Sequence, residues 1–472
     1  MNNFTINLER EDRKIPLYEQ IYLFICNEIK SGRLKADEKL PSKRSLAAHL
    51  MISLNTVETA YSMLLQEGYI YSAPRSGYYV SRAFVEFSLP EKEPPIEPPA
   101  SETRTSETRF KYGFLTNTVD TSSFPFKTWA KLGKEVLYSG QSLLSIGDPS
   151  GDVTLRESLC KYLREFRAVD CSPSQIVIGA GIEYLLMLLN RIIPHELTFA
   201  VEDPGYGKTR AVLLGGRRKL SYIPLDHEGM SPSCLSASGA DIAYITPSCQ
   251  FPTGIIMPVA RRLELISWAN EYEYRYIIED DYNSEFNLMG KPIPSLQGMD
   301  SDKVIYMSTF SRSLAPSIRI AYMVLPKVLL KDTRDMLSSY SSTVSRFEQN
   351  TLARFIDGGY LNRHINRMKT LYRRRKEFFL EYLKPYLEAL DITVSGDTAG
   401  LHLLLTMPKA LAEEVYRRAE ANKIKLYRLS EFYAEESDRG RNTLLLGFAG
   451  TEKEDLKNAV DLLFGNLQSG PI

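Results

Sequence analysis

The sequence predicts a chain of two domains, a small α+β domain followed by a large α/β domain. The chain has 472 residues, of which 43% are hydrophobic and 25% are charged, and this length exceeds one ordinary domain. Residues 83–110 contain five prolines and six glutamates without a sustained apolar period, a composition typical of a linker. We therefore expect one domain over residues 1–82 and a second over residues 111–472.

Residues 1–82 carry three helical patterns followed by a hairpin pattern. Apolar residues recur at helical spacing over residues 17–29, and Ser42 and Ser53 are candidate N-caps of two further helices. The short segments YIYS and GYYV then flank a turn at residues 73–77, which indicates a hairpin. Three helices followed by a hairpin form the layout of a winged helix-turn-helix domain.

Beyond the linker, strand and helix patterns alternate. The apolar run QIVIGAG precedes the helical run IEYLLMLLNRII, and the helical run RRLELISWANEY precedes the strand YRYIIEDDY. This alternation predicts a mostly parallel sheet with helices on both faces. From about residue 385 we expect a smaller α+β unit, with AGLHLLLT and NTLLLGFAG as candidate strands.

Composition excludes several classes of protein. No uninterrupted apolar run reaches the roughly 20 residues of a membrane helix, and the N-terminus MNNFTINLEREDRK is charged, so we expect a soluble cytoplasmic protein. The five cysteines lack CxxC spacing and the five histidines are dispersed, so we expect neither a disulfide framework nor a metal site. Because the net charge is zero, evidence for nucleic-acid binding has to come from a local motif.

The second and third predicted helices carry side chains suited to DNA. Lys43 and Arg44 lie in the first turn of the second helix, where free N–H groups also favour a phosphate. The start of the third helix can reach base edges in a major groove, and Arg75 in the wing can enter an adjacent groove or meet a phosphate. The expected contacts on the third helix are Ser53, Leu54, Asn55, Thr56 and Thr59. The simpler alternative is a generic three-helix unit with solvated basic residues.

This stretch resembles the GntR family of winged-helix regulators, since PLYEQI, LPSKRSLA, NTVETAYSMLLQEGYI and RSGYYV fall where that family has them. The family usually has arginine after the serine that opens the recognition helix, whereas this chain has Leu54, which puts the usual operator sequence in doubt. Up to Arg82, eleven basic residues face nine acidic ones. Such a weak positive charge implies modest affinity per monomer, so we expect a dimer on a double-stranded operator with two half-sites.

Several segments of the large domain point to a pocket for pyridoxal phosphate. Gly179, Ala180 and Gly181 end a strand and open a helix, so their amides can hold a phosphate. Asp280 and Tyr282 end a buried strand, where a carboxylate can pair with a protonated pyridine nitrogen and a phenol can donate to the ring hydroxyl.

Further pocket candidates lie on two other segments. Tyr206 is on a turn where its ring can stack on a flat cofactor. Hydroxyl groups and a guanidinium suited to a phosphate are provided by Ser308, Thr309, Ser311 and Arg319. Taken singly, each candidate is explained more simply as a turn glycine, a capping carboxylate or a core tyrosine, and the prediction depends on their combination.

Residues 112–470 resemble the fold-type I aminotransferases, which depend on pyridoxal phosphate. Matching stretches include GDPSGDVTLRESLCKYLREFRAV, TPSCQFPTGIIMPVARR and TAGLHLLLT. With its GntR-like head, the whole chain resembles the MocR subgroup of GntR regulators, and its pattern is closest to that of the regulator of GABA catabolism. The resemblance implies a head-to-tail homodimer and a small-molecule effector.

Position 312 is where the resemblance requires the lysine that forms the Schiff base with the cofactor, and this chain has Arg312. A guanidinium stays protonated and its nitrogens are delocalised, so it cannot form that bond. We therefore expect no transaminase activity and no covalent attachment. Arg312 can instead hold pyridoxal phosphate non-covalently as a permanent cation, or the pocket has lost the cofactor.

Two more positions depart from the pattern. The regulator of GABA catabolism has an arginine in an S-R-F triplet that binds the effector's carboxylate, whereas this chain has Glu431. Nearby Arg428 can replace it only if the loop shifts, and Cys249 stands where we would expect histidine. Drift in a pocket without catalytic demand and adaptation to a different ligand explain these changes equally well.

Three functions therefore compete: an effector-responsive transcription factor, a pyridoxal-phosphate-dependent aminotransferase, and a DNA-binding protein whose large domain is a ligand-free dimerisation scaffold. Arg312 disfavours the aminotransferase. Retention of Asp280, Tyr282, Tyr206 and Arg319 disfavours the scaffold, because a scaffold has no need of a carboxylate that faces a pyridine nitrogen.

Overall fold

The structure of the protein is a computed structural model that describes residues 6, 8, 15–82, 110–116, 118–288, 293–436 and 438–467. The chain divides into two compact units, residues 1–107 and 108–472. The predicted linker at 83–110 lies outside the described residues except for Phe110.

The N-terminal unit contains the three helices and the hairpin that the sequence predicts. They are α1 (Leu17–Lys30), α2 (Lys43–Leu50), α3 (Leu54–Gln66), β1 (Ile70–Ala73) and β2 (Gly77–Val80). The strands pair antiparallel with Ile70 opposite Val80. One apolar cluster joins all five elements and includes the fully buried Ile21, Ile25 and Tyr61. The unit therefore has a hydrophobic core of its own.

Local capping explains where α2 and α3 begin and end. Ser42 accepts a hydrogen bond from the Ser45 N–H at 3.2 Å, and Ser53 accepts one from the Thr56 N–H at 3.1 Å. Side-chain oxygens at these N-caps satisfy N–H groups that the first helical turn leaves unpaired. Met51 ends α2 in the left-handed region at φ 51°, so the chain turns sharply between the two helices.

The second unit alternates strands and helices as predicted. Its α-helices are α4 (Phe126–Leu137), α5 (Val153–Arg167), α6 (Ile182–Ile192), α7 (Gly207–Gly215), α8 (Pro232–Ala237), α9 (Val259–Asn270), α10 (Phe310–Ser313), α11 (Leu330–Leu337), α12 (Arg346–Asp357), α13 (Tyr360–Ala389), α14 (Lys409–Ala421) and α15 (Lys453–Phe464). Its strands are β3 (Tyr112–Gly113), β4 (Ile176–Gly179), β5 (Phe199–Asp203), β6 (Leu220–Asp226), β7 (Gly229–Met230), β8 (Ile242–Ile245), β9 (Tyr276–Asp280), β10 (Val304–Thr309), β11 (Ala321–Val324), β12 (Thr393–Ser395), β13 (His402–Thr406), β14 (Ile424–Lys425), β15 (Tyr427–Arg428) and β16 (Thr443–Gly447).

The large sheet confirms the predicted α/β architecture. Its order is β4-β11-β10-β9-β8-β5-β6-β7, and the run from β10 to β6 is parallel. Side chains from one face pack against α6, α7 and α11, and side chains from the other face pack against α4, α5, α8, α9 and α12. Because β8, β9 and β5 are buried on both faces, they read as continuous apolar runs rather than alternating ones.

A smaller sheet of order β12-β13-β16-β15 forms near the C-terminus and contains both strands that the sequence predicts there. Its hydrophobic core also contains residues that precede residue 385, where we expected the smaller unit to begin. Met368 and Phe379 of α13 belong to it, and so does Phe114 from the beginning of the unit. Phe114 follows β3, which pairs with β14, so the first strand of the unit completes the smaller core.

Membrane-spanning geometry is not found in the described parts of the chain, where no helix is both long and apolar enough.

Candidate DNA-binding surface and ligand pocket

The start of α3 is the part of the head that the sequence assigns to base contacts. Three hydroxyls here form hydrogen bonds within the helix or its cap. Ser53 Oγ and Thr56 Oγ1 lie 2.7 Å apart, and the Thr59 hydroxyl donates to the Asn55 carbonyl at 3.0 Å. Leu54 is 42% exposed and the Asn55 side chain is also exposed. Asn55 therefore presents the polar group that is freest to meet a base, while Ser53 and Thr56 first serve as helix caps.

The two basic residues at the start of α2 differ in their surroundings. The Lys43 ammonium donates to the Glu58 carboxylate at 2.7 Å and lies 5.3 Å from the centre of the Tyr78 ring. The bond to Glu58 raises the pKa of Lys43. Arg44 is exposed and has no ion pair with a described residue. Arg75 is exposed on the turn between β1 and β2, with φ at +61°.

In the large unit, a cavity of about 200 Å³ opens at the end of the sheet where β9 and β10 terminate. Seven of the residues that the sequence assigns to a cofactor line it together. They are Tyr206, Asp280, Tyr282, Thr309, Ser311, Arg312 and Arg319. The carboxyl ends of neighbouring parallel strands lie at one edge of a sheet, and α/β proteins bind ligands at that edge.

Asp280 is the most unusual group in this cavity. It ends β9, and burial raises its pKa to about 7. One carboxylate oxygen accepts a hydrogen bond from the Tyr244 hydroxyl, whereas Oδ1 is buried without a partner among the described residues. A buried carboxyl oxygen without a donor is costly, so a ligand with an N–H at this position would satisfy it.

Arg312 and Tyr282 lie on the neighbouring wall. Arg312 is part of the short helix α10 that follows β10, and its Nη1 donates to the Thr116 carbonyl at 2.6 Å. Its guanidinium is 5.7 Å from the centre of the Tyr282 ring. The Tyr282 hydroxyl donates to Cys249 Sγ at 3.7 Å. A fixed cation thus lies beside the phenol in the cavity wall.

Arg319 lies at the opposite end, over the turn that begins α6. Its Nη2 donates to the Ala180 carbonyl and to the Glu183 carboxylate, both at 3.1 Å. A Cβ atom on Gly181 would stand 2.1 Å from Arg319 Nη2. Glycine is therefore required here for the guanidinium to reach the helix start.

Three expected contacts are occupied in other ways. The Ala180 N–H donates to Thr343 Oγ1 at 3.1 Å and the Gly181 N–H to the Gly179 carbonyl at 2.8 Å, so these amides are not free to hold a phosphate. The buried Ser308 hydroxyl donates to the Asp281 carbonyl at 2.9 Å and lies outside the cavity lining. Ser308 joins β10 to the end of β9.

The structure does not bring the expected effector residues to the cavity. Arg428 donates to Glu413 at 2.7 and 3.1 Å, and its guanidinium lies 3.9 Å from the centre of the Tyr416 ring. Glu431 accepts a hydrogen bond from the Arg428 N–H at 2.7 Å. Both side chains therefore stabilise their own loop, and neither lines the cavity.

Several lining residues were missed by the sequence analysis, notably Thr116, Glu183, Lys208, Thr246 and Phe251. Glu183 and Lys208 follow the glycine turn and Tyr206 by two residues each, so their positions next to motif residues were a usable signal. Phe251 had none. Its ring lies edge to face with those of Tyr206, His402 and Phe432 at 5.5, 5.6 and 5.1 Å.

Two family models match the chain. The model described as bacterial regulatory proteins of the gntR family matches residues 17–80, and the model for aminotransferase class I and II matches residues 113–463. The uncharacterized HTH-type transcriptional regulator YdeL of Bacillus subtilis is 39% identical over 95% of this chain and 96% of its own length. The probable rhizopine catabolism regulatory protein MocR of Rhizobium meliloti is 32% identical over 96% and 94%.

The chain belongs to the MocR-type regulators of the GntR family. YdeL is named as an HTH-type transcriptional regulator and MocR as a regulatory protein, which supports a regulatory rather than an enzymatic role. Among solved structures, the large unit resembles a multiple substrate aminotransferase from Thermococcus profundus, with 26% identity and a TM-score of 0.66 over 77% of this chain and 94% of that one. A kynurenine aminotransferase from Pyrococcus horikoshii matches at 25% identity and a TM-score of 0.67 over 80% and 96%.

Proposed function

We propose that this protein is a ligand-responsive transcriptional regulator whose large domain binds pyridoxal phosphate non-covalently. The observation that carries the proposal is the unpartnered, buried Oδ1 of Asp280 in a cavity that also contains two arginines. A pure dimerisation scaffold gains nothing from that costly group.

The residues present fit the cofactor. Asp280 suits a protonated pyridine nitrogen, and Arg319 with the hydroxyls of Thr309 and Ser311 suits a phosphate. Tyr206, 38% exposed at the rim, suits a planar ring. When bound, pyridoxal phosphate supplies an aldehyde that reacts reversibly with primary amines.

Arg312 excludes the covalent chemistry of an aminotransferase in this proposal. It stands at the position of the Schiff-base lysine, and its guanidinium can neither act as a nucleophile nor accept a proton from a substrate. Its hydrogen bond to the Thr116 carbonyl holds this cation in place. Its function here is to hold and orient an anionic or carbonyl group.

The proposed active form is a homodimer on an operator with two half-sites. Exposed apolar side chains cluster in residues 126–153, where Tyr138 is 81%, Leu144 74% and Ile146 75% exposed. Several large apolar side chains exposed within one stretch of the chain are typical of a protein interface. Two heads on one dimer would offset the weak positive charge of each.

The test uses the full-length protein and an operator selected from random DNA. We expect saturable, reversible binding of pyridoxal phosphate, seen by absorbance and fluorescence, and a change in operator affinity when the cofactor is present together with an amine effector. Asp280→Asn should weaken cofactor binding at least tenfold, whereas Asp335→Asn on the exposed face of α11 should not. Operator binding without any cofactor uptake would favour the scaffold function instead.

A further inference from the structure

A second cavity, of about 150 Å³, lies apart from the ligand pocket. It is enclosed by α5, α13 and the single helical turn at residues 284–286. Its polar lining includes Glu285 from the turn and Asn362, Asn366 and Lys369 from one face of α13. The function proposed above uses none of these four side chains.

Two opposite charges line this cavity without touching each other. Glu285 Oε2 is buried and has no partner among the described residues, and Oε1 accepts only a long bond of 3.5 Å from the Tyr162 hydroxyl. Within the described ranges, Lys369 forms no ion pair within 4.0 Å and no hydrogen bond. Burial raises the pKa of Glu285 to about 7 and lowers that of Lys369. Among the described residues, therefore, neither charged group has an oppositely charged group in direct contact.

We propose that this cavity binds a small zwitterion, an amino acid with a free ammonium and a free carboxylate. The ammonium would satisfy the open oxygen of Glu285, while the carboxylate would meet Lys369 and the amide groups of Asn362 and Asn366. A zwitterion pairs with the buried Glu285 oxygen and the half-buried Lys369 ammonium at once without adding net charge. A simple anion or a simple cation leaves one of them unpaired.

The size of the cavity limits the ligand. Liquid water occupies about 30 Å³ per molecule, so the cavity holds roughly five waters. That space matches the five or six non-hydrogen atoms of glycine or alanine. The rings of Tyr162 and Phe166, with centres 5.1 Å apart, form one wall of this space. A volume of about 150 Å³ therefore favours an amino acid with a small side chain.

The cavity is also connected to the ligand pocket through Asp281. Ser284 and Arg167, which both line the second cavity, donate to the same Asp281 oxygen at 2.8 and 2.7 Å. Asp281 lies between Asp280 and Tyr282 in the chain. A ligand that moves Ser284 or Arg167 therefore acts on the two residues that would contact the cofactor.

Calorimetric titration of the full-length protein with glycine and L-alanine tests this site. We expect saturable binding that Glu285→Gln and Lys369→Met each weaken at least tenfold, with Lys369→Gln as a second variant if the methionine variant does not fold. The matched controls Glu388→Gln and Lys384→Met alter exposed residues of α13, the helix that carries Lys369. Both control variants should bind glycine as the wild type does. Acetate, methylamine and L-leucine should bind at least tenfold more weakly than glycine.

The ligand pocket is the other place where an amino acid can bind, and Asp280→Asn separates the two sites. If the second cavity is the site, this variant keeps its glycine affinity even when cofactor binding is lost. Glycine binding that disappears in Asp280→Asn but persists in Glu285→Gln would overturn the proposal. So would the absence of saturable binding at millimolar concentrations, which would mean that the cavity holds only water.

Discussion

Asp280 combines two properties that its ligand would change, a buried unpaired oxygen and a raised pKa. Burial is the largest cause, and it moves the pKa from its ordinary 3.8 to about 7. Because the folded state holds the proton more tightly than the unfolded state, this group contributes stability below about pH 4. That contribution is lost as the pH rises to about 7.

The resulting prediction concerns thermal stability without cofactor. Between pH 5 and pH 8 the Tm of the wild type should fall more steeply than that of Asp280→Asn, by several degrees, because asparagine has no proton to lose. Scanning calorimetry at matched ionic strength measures both profiles. Glu202, Glu279 and Glu285 also have pKa values raised to about 7, but they are common to both proteins. Parallel profiles would show that Asp280 is not the responsible group.

Arg312→Lys should restore covalent attachment of the cofactor. The amine of a lysine can react with an aldehyde that Asp280 and Arg319 would orient in the proposed complex, and nearby positive charge and burial would lower its pKa towards a reactive value. We expect a new visible absorbance and a borohydride-trapped adduct on the introduced lysine. The wild type should give no adduct, even on Lys208, which also lines the cavity. A colourless variant at saturating cofactor would mean that the pocket has decayed.

Glu183 is expected to compete with a phosphate for Arg319. Its carboxylate lies 3.1 Å from the guanidinium, and both side chains are partly exposed, so the pair is worth at most about 1 kcal/mol. Glu183→Gln should therefore tighten pyridoxal phosphate binding by about threefold to fivefold. Affinity for pyridoxal, which has no phosphate, should stay unchanged. An equal gain for both ligands would rule out competition at the phosphate end.

At the scale of elements, the helices and hairpin of the head follow from local signals and were predicted closely. Serine caps, a helical apolar stripe and a turn at residues 73–77 act within a few residues of each other. The side-chain contacts between α2 and α3 could not be predicted from the sequence. Lys43 meets Glu58 across fifteen positions of sequence, and this pairing changes the expected contribution of Lys43 to DNA binding.

The prediction for α2 is accordingly that Arg44 contributes more than Lys43. Arg44→Ala should weaken binding to all sequences about equally and reduce the salt slope by roughly one unit, since a phosphate contact releases a counterion without reading bases. Lys43→Ala should have a smaller effect, because its ammonium is already paired with Glu58. Fluorescence anisotropy at several salt concentrations measures both slopes. Asn55→Ala, by contrast, should alter sequence preference.

In the large unit, the helices, the strands and the residues at the strand ends could be predicted from the sequence. Contacts between segments that are far apart in the sequence could not. Asp280 and Thr309 are the last residues of β9 and β10, and Tyr282 lies two residues beyond Asp280. Because the two strands are neighbours in the sheet, their ends bring these side chains together. The sequence contains no pattern that indicates these long-range packing contacts. One is the core position of Phe114 beside α13 and another is the approach of the Cys160 and Cys171 thiols to 3.6 Å.

At the scale of the whole molecule, the two units have separate hydrophobic cores. We expect them to affect DNA binding jointly because they are joined in one chain. The head buries its own apolar cluster, so a fragment ending near Pro94 should fold alone. In the intact protein, a dimer of the large units would hold two heads near one operator. The second head then binds at a high effective concentration, which raises affinity by 10²-fold or more without any new contact.

A fragment ending near Pro94 should therefore bind a two-half-site operator about 100-fold more weakly than the full-length protein at the same salt concentration. Its salt slope should be about half as steep, because one head neutralises half as many phosphates. The full-length variant Leu144→Asp/Ile146→Asp provides the control. It keeps both domains and the linker, but two charges in the exposed apolar segment should prevent dimerisation, which ultracentrifugation measures. If this variant binds as weakly as the fragment, dimerisation is the source of affinity. Equal affinity of fragment and intact wild type would instead show that each head binds independently.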